Sequence, residues 1–273
     1  MPNNRTAPAL VQPAPLATEA PEFLMDGVGG TGFENVDSSD IVIPRISLLQ
    51  PVAPMSSEDG YSSGDFVDMT SRHNFGKSFL FVPIFYYANR IKWEDPSDIG
   101  SGIDCRSFDA KEGTTYGACS TCTFSQWLDK APPACTLFKN VLMLPLERDT
   151  TTDTVLEAMQ SSTPSVFAAK RTATKPMTEF ISAAMMLRVN GRPAPLYSSY
   201  YEIKAARTEG PRGVYFVPKM TRQGFLPTRE AFEYATEMNK QAHAAQARIS
   251  ATTAEAEVIE NGVATPSTPG YDF

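Results

Sequence analysis

The chain has 273 residues, 42% of them hydrophobic and 20% charged, with a formal net charge of −7. That length can bury a sizeable core, in one large domain or in a domain with an insertion. No apolar run approaches the about 20 residues that a membrane-spanning helix needs, so a helical membrane protein is excluded and a soluble one expected.

The acidic balance looks wrong for a nucleic-acid binder until it is mapped. Residues 1–40 carry Arg5 against six acids, a net of −5, and 251–273 carry four acids and no base, a net of −4. Residues 41–250 hold 23 basic and 21 acidic side chains, a net of +2, and within them 160–229 set eleven Lys and Arg against Glu179, Glu202 and Glu209, a net of +8. The pattern is a basic body between two acidic tails.

Residues 1–40 are rich in Pro, Ala and Gly without periodicity and read as disordered. A strand is predicted over Ile41–Leu49 and a short one over Asp65–Met69, after the glycine-punctuated loop of Gly60 and Gly64. Ser78–Trp93 reads as a long strand in which Pro83 forfeits a ladder hydrogen bond and calls for an edge or a bulge. Strict period two would put Leu80, Val82 and Ile84 on one face with Tyr86, Arg90 and Lys92, so the face turns from apolar to aromatic and cationic. Such a strand either leaves the core and solvates its end or offers a stacking platform with phosphate partners.

All four cysteines follow within 31 residues, as Cys105, Cys119, Cys122 and Cys135, spaced C-x13-C-x2-C-x12-C. The Cys119–Cys122 pair is a turn able to aim two thiolates at one point, and four thiolates at about 2.3 Å satisfy tetrahedral zinc with no open position. Gly113, Gly117, Pro132 and Pro133 suit a loop-built site that has no core of its own. Two disulfides, or four unrelated buried cysteines, are the competing readings. No signal-peptide pattern precedes them, so an oxidising compartment is not expected. The expectation is one structural Zn2+ per chain, bound by the four cysteines in an insertion at about 94–136. His73 and His243 lie far off in sequence, and Asp104 and Asp109 are too few to form a catalytic cluster, so no enzyme is expected.

Thr136–Leu146 resumes the sheet with Val141–Leu144 as a buried run. A helix follows from Thr174 and Pro176, with Met177, Phe180, Ile181, Ala184 and Leu187 on its apolar face and Asn190-Gly191 at its end. Leu196–Arg207 and Gly213–Lys219 read as a hairpin, and Pro227 opens a C-terminal helix at about 226–250. The fold class is α+β, mainly β, and the order is compatible with an OB-like barrel spanning 41–225. OB grooves stack bases on aromatics while Lys and Arg follow the phosphates. The candidates here are Tyr86, Arg90, Lys92, Trp93, Lys170, Arg171, Lys175, Tyr200, Lys204, Arg207, Arg212, Tyr215, Lys219 and Arg222.

The blocks Ile43–Gln50, Gly64–Phe66, Arg90–Trp93, Cys105–Ser107 and Cys119–Cys122 with Trp127 resemble a family of tailed-bacteriophage proteins. The resemblance covers roughly 41–220 and implies a single-stranded-DNA-binding protein of replication and recombination, working in the host cytoplasm. The acidic tail ending in Tyr271, Asp272 and Phe273 resembles the tails by which bacterial single-strand-binding proteins recruit phage or host partners; ordinary solvated disorder is its plainer reading. A zinc-stabilised virion or scaffold protein would share the cysteines and the tails without binding DNA.

Overall fold

A computed structural model describes Asn35 and residues 43–246 other than 96, 97, 130 and 212, with 98–101 in backbone only. The two acidic tails apart from Asn35, with Tyr271–Phe273 among them, and Arg212 therefore lie outside the described residues. In chain order the elements are β1 (Arg45–Leu48), β2 (Phe66–Asp68), β3 (Asn74–Gly76), β4 (Ser78–Asp95), β5 (Asp98–Ser107), β6 (Glu112–Gly113), β7 (Gly117–Ala118) and β8 (Thr136–Leu146). There follow α1 (Val155–Ser161), β9 (Ser165–Lys170), α2 (Thr174–Met186), β10 (Arg188–Val189), β11 (Arg192–Pro193), β12 (Ser199–Gly210), β13 (Gly213–Phe225) and α3 (Arg229–Ala244).

The main sheet runs β13-β12-β4-β8-β9-β1-β2-β3, with β5 paired to the far end of β4. All its pairings are antiparallel except β1 with β9. β8 is apolar on both faces because it lies between β4 and β9 with both of its faces covered. On one face Val82, Phe85, Tyr87, Leu142 and Leu144 pack against Val155 and Met159 of α1 and Ala231, Ala235 and Ala242 of α3. On the other, Ile46, Phe66, Phe79, Phe81, Met143, Tyr201 and Ile203 pack against Met177 and Phe180 of α2. Phe180 meets Tyr201 edge-on at 4.9 Å and Phe66 meets Phe79 at 5.4 Å, the offset geometry that aromatic quadrupoles favour.

Three local signals in the sequence account for element boundaries. Pro83 borders a bulge, the register slipping between Pro83↔Met143 and Phe85↔Leu142, as its missing N–H requires. Thr228 caps α3 by accepting a hydrogen bond from the Ala231 amide at 3.2 Å. Asn190 (φ 50°) and Gly191 (φ 76°) form the tight turn of the β10–β11 hairpin, so they lie beyond the end of α2 rather than closing it.

The expectations are corrected in three places. The OB-like barrel does not close: β13 and β3 end an open sheet, because among the described residues Gly213–Phe225 pairs as a strand with β12 alone. The Pro83 bulge changes the phase of β4, so Tyr86 packs on the α2 side while Val82 and Ile84 pack on the α3 side. Residues 154–170, unassigned by periodicity, supply α1 and the buried strand β9. Among the described residues no helix is long and apolar enough to cross a membrane.

A side chain from beyond β1 reaches the open edge of β13. Just past β1, the Gln50 side chain donates to the Phe216 carbonyl at 3.0 Å and accepts from the Phe216 amide at 2.9 Å, replacing a strand neighbour at one residue of the β13 edge. Gly64 leaves room for this approach: a Cβ there would stand 2.8 Å from the Phe216 ring. Since Phe216 turns its polar groups outward, period two puts Pro218 on the same open edge, where a missing N–H costs no ladder bond.

Candidate metal centre and nucleic-acid surface

The four cysteines come from separate elements: Cys105 from β5, Cys119 and Cys122 from the turn after β7, and Cys135 from the residue before β8. Short-range bonds hold that chain in place. Asp109 accepts from the Lys111 amide at 2.8 Å, which draws its carboxyl below the usual carboxylate range. The Cys119 amide donates to the Lys111 carbonyl at 2.7 Å, the Cys135 amide to the Phe124 carbonyl at 2.8 Å, and Ser125 Oγ to the Cys122 carbonyl at 2.8 Å. Thus Asp109, weighed above as a catalytic carboxylate, organises a turn.

All four thiols are free, and all four line one cavity of about 10 Å3, room for a single water-sized sphere. Arg90, Lys92, Gly113, Tyr116 and Phe124 line it too, with Ser107, Gly117 and Ser125. Gly113 is required there, since a Cβ would stand 2.9 Å from Cys105 Sγ and 4.0 Å from Cys119 Sγ. Among the described residues no group of three or more His, Cys, Asp or Glu is arranged to hold a metal ion. The chemistry of the wall is nevertheless that of a soft-metal site: four sulfurs, two cations and no carboxylate.

The thiols are unequal. Burial pushes Cys105 up, but amides from Thr115 and Tyr116 and hydroxyls from Thr114 and Thr115 outweigh it and bring the thiol below its ordinary value. Burial pushes Cys135 up to about 11, against the opposing charge of the Arg90 guanidinium. Lys92 is held by Asp104 and lies 4.7 Å from the Phe124 ring centroid, while Tyr116 donates to Asp104 at 2.8 Å. The hydrogen bond to Asp104 raises Lys92 and lowers Asp104. Arg90 and Lys92 therefore belong to the cysteine knob.

The other nucleic-acid candidates divide between two faces. Arg207 and Arg222 alternate with Tyr201 and Ile203 on the α2 side, while Lys204 and Lys219 stand directly opposite each other on the α3 side. Lys204 is paired with Glu202 at 2.9 Å, and Arg207 with Glu209 at 2.7 Å. Arg171 and Lys175 are exposed at the start of α2; Lys170 is half-buried, opposite Phe138. The aromatic candidates do structural work: Trp93 is buried edge-on to Phe138, Tyr86 is half-buried in the α2-side core, and Tyr200 and Tyr215 cover Gly224 and Gly210.

Sequence reasoning missed Phe225, which is 45% exposed with the Arg222 guanidinium 4.0 Å from its ring centroid. It also missed the exposed Arg188 and Arg192 on the short hairpin after α2. An aromatic three residues from an arginine at the end of a predicted strand was the available signal for Phe225. Trp127 and Leu128 stand out from the cysteine knob at 67% and 59% exposure.

No curated protein and no solved structure matches the chain. A family model described as Pam3 phage gp34-like protein matches residues 14–248. The cysteine knob, the open sheet and the basic α2 side all lie within that span, and the chain belongs to the Pam3 phage gp34-like protein family, which makes it a phage protein.

Proposed function

We propose that this phage protein binds single-stranded DNA in replication or recombination, and that one structural Zn2+ held by Cys105, Cys119, Cys122 and Cys135 stiffens its cysteine knob. The observation that supports the DNA reading is the distribution of exposed charge on and beside the α2 side. Arg171, Lys175, Arg188, Arg192, Arg207 and Arg222 are all exposed there, and of the acids on the elements that carry them Glu202 turns to the α3 side, which leaves Glu179 and Glu209. Phe225, beneath Arg222, is the exposed ring on this face suited to stacking a base. The acidic tail is proposed to recruit replication partners through Tyr271, Asp272 and Phe273.

The test is a titration of the full chain with fluorescent oligo-dT and with duplex at two salt concentrations. The expected result is preference for oligo-dT with affinity falling as salt rises, at a slope near −0.7 per neutralised phosphate. Equal affinity for duplex would remove the stacking component, and no binding at low salt would leave the alternative of a zinc-stabilised virion or scaffold protein.

The zinc reading is supported by the convergence of four free thiols on a cavity of about 10 Å3. The donor set fits the group by its chemistry: four sulfur donors would close a tetrahedral site, and such a site contributes folding free energy rather than catalysis. Elemental analysis of protein purified without added metal should find about one zinc per chain. Cys122→Ser should lower both the zinc content and the melting temperature; unchanged values for both would refute the assignment.

A further inference from the structure

We infer that Arg90 is the positioning residue of the cysteine centre, offering its N–H groups to the sulfurs and compensating the charge of a bound zinc–thiolate group. The inference rests on the zinc reading above and adds a partner to it. Its ground is the charge of the cavity wall. Four thiolates around Zn2+ leave a net charge of −2, and no carboxylate lines the cavity. Of the two lining cations, Lys92 is already neutralised by Asp104, whose carboxylate Tyr116 also holds. Arg90 is then the cation left for the sulfurs.

Its geometry agrees. Arg90 lies on β4 opposite Ser107 of β5 and Leu137 of β8, flanked by strands on both sides, so its backbone cannot swing away. The guanidinium belongs to the wall of the cavity that all four thiols line. Its Nε is buried and has no hydrogen-bond partner. A buried guanidinium N–H without an acceptor is costly, and an electron-rich thiolate is the acceptor that this wall offers. Outer groups of this kind orient ligands and set how firmly the metal is held, and their loss typically costs about 10- to 100-fold in metal affinity.

The experiment uses the full chain with Arg90→Met, Arg90→Lys and, as a control, the exposed Arg171→Met. Zinc content is measured first, then the rate of zinc transfer to excess EDTA, then the thiolate-to-metal charge-transfer band of the Co2+-substituted protein. Arg90→Met should release zinc about 10- to 100-fold faster than the parent and move the band to lower energy, because a thiolate without its N–H donor is a stronger electron donor. Arg90→Lys keeps the charge but loses the fork and should fall between parent and Arg90→Met; it also keeps the inference testable if Arg90→Met does not fold. Arg171→Met should match the parent in both readouts. If zinc is present and both Arg90 variants match the parent in release rate and band, Arg90 has no such role and the zinc reading stands. If the parent itself carries no zinc and takes up no Co2+, the zinc reading fails and this inference with it.

Discussion

Asn89 and Asn140 are wholly buried on the α3 side of the β4–β8 ladder, an unusual place for two amides. Asn140 Nδ2 donates to Asn89 Oδ1 at 2.7 Å, while Asn89 Nδ2 and Asn140 Oδ1 have no hydrogen-bond partner. Removing one member strands the other, at a cost of about 1–3 kcal/mol, whereas replacing both by apolar groups of similar shape is close to neutral. Asn140→Leu should therefore lower the urea midpoint clearly, and Asn89→Leu with Asn140→Leu should recover much of that loss. Four midpoints close the cycle, and simple additivity would show that the amides act independently. Nothing in the sequence marks this pair, since an isolated Asn in a strand pattern reads as solvent-facing. The four cysteines were legible for the opposite reason: their residue type and spacing restrict what they can do wherever the backbone goes.

Among the elements, the β12–β13 hairpin carries the most testable consequence. Alternation along a strand separates Arg207 and Arg222 from Lys204 and Lys219, so a basic composition becomes two distinct surfaces. On the α3 side Lys204 and Lys219 oppose each other, an arrangement unfavourable in itself, with Glu202 beside Lys204. If the DNA path follows the α2 side, Arg207→Glu with Arg222→Glu should reduce the salt slope and the oligo-dT affinity far more than Lys204→Glu with Lys219→Glu. Phe225→Ala should lose about 1–3 kcal/mol of oligo-dT binding with little change in melting temperature. Tyr200→Ala should do the reverse, because that ring packs on Gly224 and the α3-side core. Equal effects from the two charge pairs would instead favour a diffuse electrostatic contact. The hairpin was evident from two β-rich runs around Gly210-Pro211, but its division into faces needed the register, and its length needed the partner strand.

At the scale of the whole molecule, the sheet is open and Gln50 bridges to its β13 edge. Gln50 replaces a strand neighbour at a single residue of β13 through two hydrogen bonds, in the room left by the absence of a side chain at Gly64. Each such bond contributes about 0.5–1.5 kcal/mol net, and the Phe216 amide and carbonyl would otherwise face the edge alone. Gln50→Ala should lower stability by about 1–3 kcal/mol and speed amide hydrogen exchange at Phe216 without changing the exchange of β8. Uniform loss of protection across both strands would mean that the bridge does not act locally. The sequence by itself determined the mainly-β class, the position of β4 and β8, the helices α2 and α3, the cysteine quartet and the basic character of 160–229, because each rests on local period, capping or residue chemistry. The tertiary structure alone decided that the sheet stays open, that the break at Pro83 is a bulge and puts Tyr86 on the α2 side, and that Arg90 and Lys92 face the cysteines. It also decided which cations share a surface. These outcomes depend on which strands become neighbours and in which register, and long-range pairing of that kind leaves no periodic trace in the residues that it brings together.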